Sequence, residues 1–165
     1  MKTINQVHNK IVTGEQAAII VQHWKDQGME VVFTNGCFDI LHRGHIEYLF
    51  AARTQGDRLV IGVNSDHSVK LLKGPDRPVN DEQSRMLLLG ALECADLVVL
   101  FDEETPLSLI QLLLPDILVK GGDWKVDQIV GADIVTEKGG KVLSLAFVDG
   151  FSTTGTIAKI QKKGF

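Results

Sequence analysis

Val31-Val32-Phe33-Thr34-Asn35-Gly36-Cys37-Phe38-Asp39-Ile40-Leu41-His42-Arg43-Gly44-His45 joins the end of an apolar strand to the start of a helix. Residues 31–34 are β-branched or aromatic, as a strand prefers, and a glycine and an aspartate follow in the turn. On the helix, positions i and i+3 share a face, so His42 and His45 point at one object. Gly44 lies between them and carries no Cβ to block close approach. The free N–H groups of a helix N-terminus add partial positive charge at the same spot. This arrangement suits a nucleotide phosphate.

Upstream, Thr13-Gly14-Glu15-Gln16 matches a capping box, and Ala17, Ile20, Val21 and Trp24 repeat at helical spacing until Gly28 stops the helix. Downstream, the helix opened by His42 runs to about Gln55, and residues 58–64 read as a buried strand. Residues 70–78 hold two prolines and a glycine among three basic side chains, which predicts a flexible loop, and Asn80 then caps a helix through Leu92. Residues 97–101 form the next strand. Thr105-Pro106 supplies an N-cap and a first-turn proline for a helix that ends near Leu114, before Pro115. A strand over 117–120, a helix over 126–138, a strand over 141–147 and a helix starting at Ser152 complete the chain.

Strands and helices alternate throughout. The predicted fold class is therefore α/β: a Rossmann-like open parallel sheet of about five strands, covered by helices on both faces and joined by right-handed crossovers. Residues 1–165 read as one domain, with residues 1–30 an N-terminal helical segment packing on the core. Ligands of such sheets bind beyond the carboxyl ends of the strands. The three richest polar segments, residues 34–45, 120–124 and 149–154, all fall there and are predicted to converge.

Composition narrows the class. The apolar share of 44% is that of a globular protein. Seventeen basic against 21 acidic residues leave a net charge of -4, which argues against a sequence-independent nucleic-acid binder. Any anionic ligand must meet a local cationic cluster. Cys37 and Cys94 give neither a metal spacing nor a disulfide framework, and no leading apolar stretch follows Met1-Lys2, so a cytoplasmic setting is expected. The apolar runs are far shorter than the roughly 20 residues that span a bilayer, so no membrane partner is expected.

A His-x-Gly-His tetrapeptide alone is a modest signal. Here it is joined by Lys120-Gly121-Gly122-Asp123-Trp124 and Ser152-Thr153-Thr154-Gly155-Thr156-Ile157. Together these resemble the nucleotidyltransferase superfamily that carries the HxGH signature. With Lys73-Gly74, Arg77-Pro78-Val79 and Glu82-Gln83-Ser84-Arg85-Met86, the likeness falls on the adenylyltransferase branch that makes ADP-heptose. It covers nearly everything from Val31 to Lys162. In many bacteria such enzymes are fused to a sugar kinase, so this chain looks like the stand-alone form.

The resemblance implies transfer of AMP from ATP to D-glycero-β-D-manno-heptose 1-phosphate, by in-line attack on the α-phosphate and with release of pyrophosphate. It implies that His42 and His45, with Lys73 and Arg85, act on the phosphates during turnover. Thr34, Asn35, Gly36, Cys37, Phe38, Asp39, Gly44, Lys120, Gly122, Asp123, Ser152, Thr153 and Thr154 would bind the nucleotide; for Asp39, capping of the turn is an equally good reading. Arg77 and Trp124 would meet the substrate, although a packing role for Trp124 fits as well. Ser152 also reads as a plain N-cap. Mg²⁺ is expected with ATP, without a protein cage, and a homodimer is expected from the resemblance. Cytidylyltransferases acting on glycerol phosphate share the HxGH, Gly122-Asp123-Trp124 and Ser152-Thr153-Thr154 segments. They typically place an arginine just before the last of these, where this chain has Ala146-Phe147-Val148-Asp149. A transferase for another sugar phosphate or FMN, and a nucleotide-binding module without turnover, are the remaining alternatives.

Overall fold

The structure, a computed structural model, describes residues 3–147 and 150–162. Six strands form one parallel sheet: β1 (Ile11–Val12), β2 (Val31–Gly36), β3 (Arg58–Asn64), β4 (Leu97–Phe101), β5 (Ile117–Gly121) and β6 (Lys141–Leu145), in the order β1-β4-β3-β2-β5-β6. The predicted α/β class and parallel sheet hold, with one strand more than expected. β1 is the addition; at two residues it is too short to carry a periodic signal, and it is held by pairing with β4 through Ile11–Val98 and Val12–Val99.

Among the described residues eight α-helices wrap the sheet: α1 (Ile4–His8), α2 (Gly14–Asp26), α3 (Arg43–Arg53), α4 (Asp66–Lys73), α5 (Glu82–Gly90), α6 (Leu107–Leu113), α7 (Ala132–Glu137) and α8 (Thr153–Lys162). The strands are apolar on both faces, as helices on both sides require, yet they still alternate. In β3, Val60 faces the layer containing Ala17, Val21, Ile110 and Val135 of α2, α6 and α7. Leu59, Ile61 and Val63 face the opposite layer, with Tyr48, Leu49 and Ala52 of α3 and Leu89 of α5.

Local chemistry sets most boundaries. The Thr13 hydroxyl accepts from the Gln16 amide at 3.3 Å, and the Gln16 side chain accepts from the Thr13 amide at 3.0 Å, closing the capping box of α2. Three expectations are corrected. Residues 70–73, read as loop, are the last turn of α4, which Ser65 caps; the break comes only at Gly74, the first of three turn formers. The cap of α5 is Asp81 rather than Asn80, because the Asn80 side chain is engaged with the Asp39 carbonyl. The helix expected over 126–138 is a 3₁₀ turn, Val126–Gln128, followed by α7, with Gly131 in the left-handed region between them at φ 82°.

One feature of the sheet positions the site. Leaving β2, the chain builds β3 and β4 on one side and returns to place β5 and β6 on the other, so the strand order reverses between β2 and β5. β2 pairs with β3 along all six of its residues. With β5 it pairs only through Val32–Ile117 and Phe33–Leu118, although both strands continue to Gly36 and Gly121. The strand ends therefore diverge, and a crevice opens at the topological switch point.

Candidate active site

A cavity of about 360 Å³ occupies that crevice. Its wall takes Asn35, Gly36, Cys37, Phe38 and Asp39 from the end of β2 and the turn beyond, His42, His45 and Tyr48 from the start of α3, Lys73 from the end of α4 and Arg77 from the α4–α5 connection. Lys120 and Gly121 come from β5, and Phe147, Phe151, Ser152, Thr153 and Thr154 close the far side. The three polar segments thus converge as predicted, except that Asp149 lies outside the described residues. Hollows of about 580 and 480 Å³ exist elsewhere, but the first is rimmed by Glu15, Asp102 and Glu103 and neither contains the histidine pair.

The two histidine rings stack, with centroids 3.8 Å apart and planes 16° from parallel. His42 caps α3: its Nδ1 accepts from the His45 amide at 3.4 Å. An accepting Nδ1 carries no proton, so the neutral ring holds its proton on Nε2 and can donate it. Burial pushes the His42 pKa below the ordinary histidine value. For His45, burial and the neighbouring His42 charge together lower it to about 4, against a smaller opposing effect of the Ile40 carbonyl. That carbonyl is not in hydrogen-bonding geometry, since His45 Nδ1 is buried without a partner. At neutral pH the pair is uncharged. Two imidazolium ions at this separation would repel strongly in a partly buried site.

The cations are separate from the pair. Lys73, Arg77 and Lys120 all reach the cavity. Burial lowers the Lys120 pKa; Cys37 opposes it, and the Lys73 charge, the smallest of the three influences, acts with burial. Lys120 Nζ donates to Asn35 Oδ1 at 3.3 Å, an uncharged acceptor, and among the described residues its ammonium has no counter-ion. Desolvated ammonium groups beside helix N-termini favour bound anions. Burial raises the Cys37 thiol pKa, which keeps it protonated and unsuited to nucleophilic attack. Among the described residues no cluster of three His, Cys, Asp or Glu could hold a metal ion, and no helix is long and apolar enough to cross a membrane.

The cytidylyltransferase-like family model matches residues 33–145, which include both strand ends of the crevice and the histidine pair. The chain belongs to the cytidylyltransferase-like family. It is a nucleotidyltransferase. It is 57% identical to bifunctional protein HldE of Mesorhizobium japonicum over 92% of this chain and 30% of that protein, and 54% identical to that of Shigella sonnei over 93% and 33%. The chain spans about a third of the length of the curated relatives it matches. Among solved structures, the lipopolysaccharide core biosynthesis protein from Thermoplasma volcanium GSS1 matches with a TM-score of 0.58 at 32% identity, over 73% of this chain and 98% of that one.

Within this cytidylyltransferase-like chain, six residues expected at the site lie outside the cavity wall. Arg85 is fully buried; it donates through Nε to the Asn80 carbonyl at 3.0 Å, through Nη1 to the Cys37 carbonyl at 2.6 Å and through Nη2 to Asp66 Oδ1 at 2.9 Å. Thr34 is buried and shares a 2.6 Å hydrogen bond with the Tyr48 hydroxyl. Gly44 lies behind two wall residues: a Cβ there would come within 3.2 Å of the His42 ring and 3.1 Å of Phe151. Its absent side chain makes room for the histidine rather than for a ligand. Gly122, Asp123 and Trp124 turn away behind β5, where the Trp124 indole N–H donates to the Gly121 carbonyl at 3.1 Å and its amide to Ser144 Oγ at 3.1 Å.

Four wall residues were not named individually at the site, although two of them, Gly121 and Phe151, fall in segments expected to converge there: Tyr48, Gly121, Phe147 and Phe151. Tyr48 lies three residues after His45 on α3, the same spacing that paired the histidines, and could have been found by extending that face one turn. Its hydroxyl also donates to the Val119 carbonyl at 3.4 Å, so it sits between the diverging strands. Burial raises its pKa to about 12, and it remains a phenol. A Cβ on Gly121 would lie 2.5 Å from the Phe147 ring, which explains glycine at that strand end.

Proposed function

We propose that this domain transfers AMP from ATP to D-glycero-β-D-manno-heptose 1-phosphate, giving ADP-heptose and pyrophosphate. One observation carries the reading: an uncharged, stacked histidine pair and three cations converge on one crevice whose wall, among the described residues, has a single carboxylate, Asp39, already paired with Arg77. Such a site suits two phosphorylated substrates. The sugar phosphate is anionic near neutral pH, so no general base is needed to create the nucleophile; the site must hold two polyanions in line and stabilise charge at the α-phosphate.

His42 donates from Nε2 to an α-phosphate oxygen, and His45 stacks beneath it and donates to the same group. Lys120 and Lys73 balance the triphosphate, and Ser152 to Thr154 add hydroxyls and N–H groups at the start of α8. Arg77 meets the acceptor phosphate. Mg²⁺ arrives with ATP. Among the described residues the one wall carboxylate, Asp39, already accepts from Arg77 and from the Val79 and Asn80 amides.

The ADP-heptose reading draws support from the similarity to HldE proteins and to a lipopolysaccharide core biosynthesis protein. The matched family model is named for cytidylyl transfer and favours a second reading, CTP with glycerol 3-phosphate. Pyrophosphate release measured with ATP or CTP against heptose 1-phosphate, glycerol 3-phosphate and FMN separates them. Release with ATP and heptose 1-phosphate is expected. Release only with CTP supports the second reading, and none with any pair leaves a nucleotide-binding module.

A further inference from the structure

A carboxylate is an unusual wall residue for a cavity that takes polyanions. Asp39 is 2% exposed. Its Oδ2 accepts from Arg77 Nε at 2.6 Å, and its Oδ1 from the Val79 amide at 2.7 Å and the Asn80 amide at 3.0 Å. Its carbonyl accepts from Asn80 Nδ2 at 2.6 Å. All four bonds reach one segment, residues 77–80 of the α4–α5 connection, and fasten it to the turn after β2. Among the described residues, the Arg77 guanidinium bonds to protein through Nε alone, so both terminal amino groups remain for the cavity it lines.

We propose that Asp39 is a positioning residue for the acceptor phosphate: it touches no substrate, and holds Arg77 so that the guanidinium meets that phosphate already oriented. The inference rests on the transferase reading above. A direct ligand role would set a negative charge against phosphates, and three of the carboxylate's acceptor positions are already taken. A role in capping the local turn would not require Arg77. Tethering a long, flexible side chain before the ligand arrives removes ordering entropy that binding would otherwise cost, and the planar fork keeps its bidentate face free. The pairing also removes one positive charge from a wall that otherwise concentrates Lys73, Arg77 and Lys120.

Asp39→Asn isolates this contact. The amide oxygen still accepts from Val79 and Asn80, while its NH₂ opposes the Arg77 Nε–H. A double-mutant cycle with Arg77→Gln, read as KM for heptose 1-phosphate and kcat, tests the proposal. Each single change is expected to raise KM for the sugar phosphate on the order of tenfold, with a smaller effect on KM for ATP, and Asp39→Asn is expected to add nothing in the Arg77→Gln background. Additive effects, or an unchanged KM in Asp39→Asn, overturn it. If Asp39→Asn does not fold, Asp39→Glu, which keeps the charge but displaces it, takes its place in the cycle. If the wild type releases no pyrophosphate with any substrate pair, the transferase reading has failed on its own. The same four proteins titrated with inorganic phosphate then decide the inference: non-additive losses of affinity support it, and additive losses or no binding by the wild type overturn it.

Discussion

Replacing Arg85 separates two physical roles, contact with a phosphate and a buried tie between segments. The side chain is fully buried and ties three segments together: the turn at Cys37, the start of α4 at Asp66 and the residue before the α5 cap, Asn80. Arg85→Met keeps an elongated side chain of similar reach and removes all three charge-assisted bonds. Such bonds contribute about 1.5–3 kcal/mol each, but the Asp66 side chain is 32% exposed and regains water, so the sum is discounted to about 3–5 kcal/mol. In a domain of this size about 1 kcal/mol shifts Tm by roughly 2–4 °C, so a fall of roughly 6–20 °C is expected. Arg85→Lys reaches one of the three acceptors and should lose about 2–3 kcal/mol. Urea and thermal unfolding followed by far-UV circular dichroism measure the loss, and Michaelis constants are taken well below the variant's Tm. The reasoning is refuted if Arg85→Met unfolds within about 2 °C of the wild type while a substrate KM rises on the order of tenfold, the signature of a phosphate contact.

His45→Ala should lower kcat on the order of 100-fold with the fold intact; near-normal kcat with unaltered substrate affinity would remove His45 from the chemistry. Because the folded His45 pKa is about 4 against an ordinary value of 6.5, the unfolded chain binds more protons between those limits. Its contribution to stability is therefore complete above pH 6.5 and is lost as pH falls toward 4. His45→Gln should flatten urea midpoints across this window relative to the wild type, and an equal slope in both proteins would contradict the buried-imidazole account. Tyr48→Phe leaves the buried Thr34 hydroxyl without its 2.6 Å partner and should cost about 1–2 kcal/mol in urea unfolding, with an unchanged midpoint counting against the bridge.

What was legible in the sequence follows from where local chemistry acts alone. β3 and β4 were bounded to the residue because polar or turn-forming neighbours flank continuous apolar runs. The α2 capping box needed four residues and no tertiary partner. The α5 cap was misplaced by one because Asn80 and Asp81 are both competent, and a residue 41 positions away decides between them. Of the four cations expected at the site, Lys73, Arg77 and Lys120 line the cavity and Arg85 does not. A signal existed: Arg85 stands four residues before the buried Leu89, on the inward face of α5. Charge suggested ligand contact, while helical periodicity pointed to the core. Phe147 and Phe151 left no comparable trace, since an aromatic wall residue and an ordinary exposed aromatic look alike in one dimension.

The short ladder between β2 and β5 divides the sheet mechanically. Four strands on one side and two on the other are joined by main-chain pairing at Val32–Ile117 and Phe33–Leu118, beside ladders of five and six pairs on either hand. Amide hydrogens along this seam are exposed to smaller opening motions than those of β3, and should exchange with solvent sooner. A ligand spanning Asn35 and Lys120 would brace the two slabs where the backbone does not. Protection gained on binding should therefore concentrate along one line through the sheet, and residues far from the phosphates but adjoining that line should slow in exchange with them.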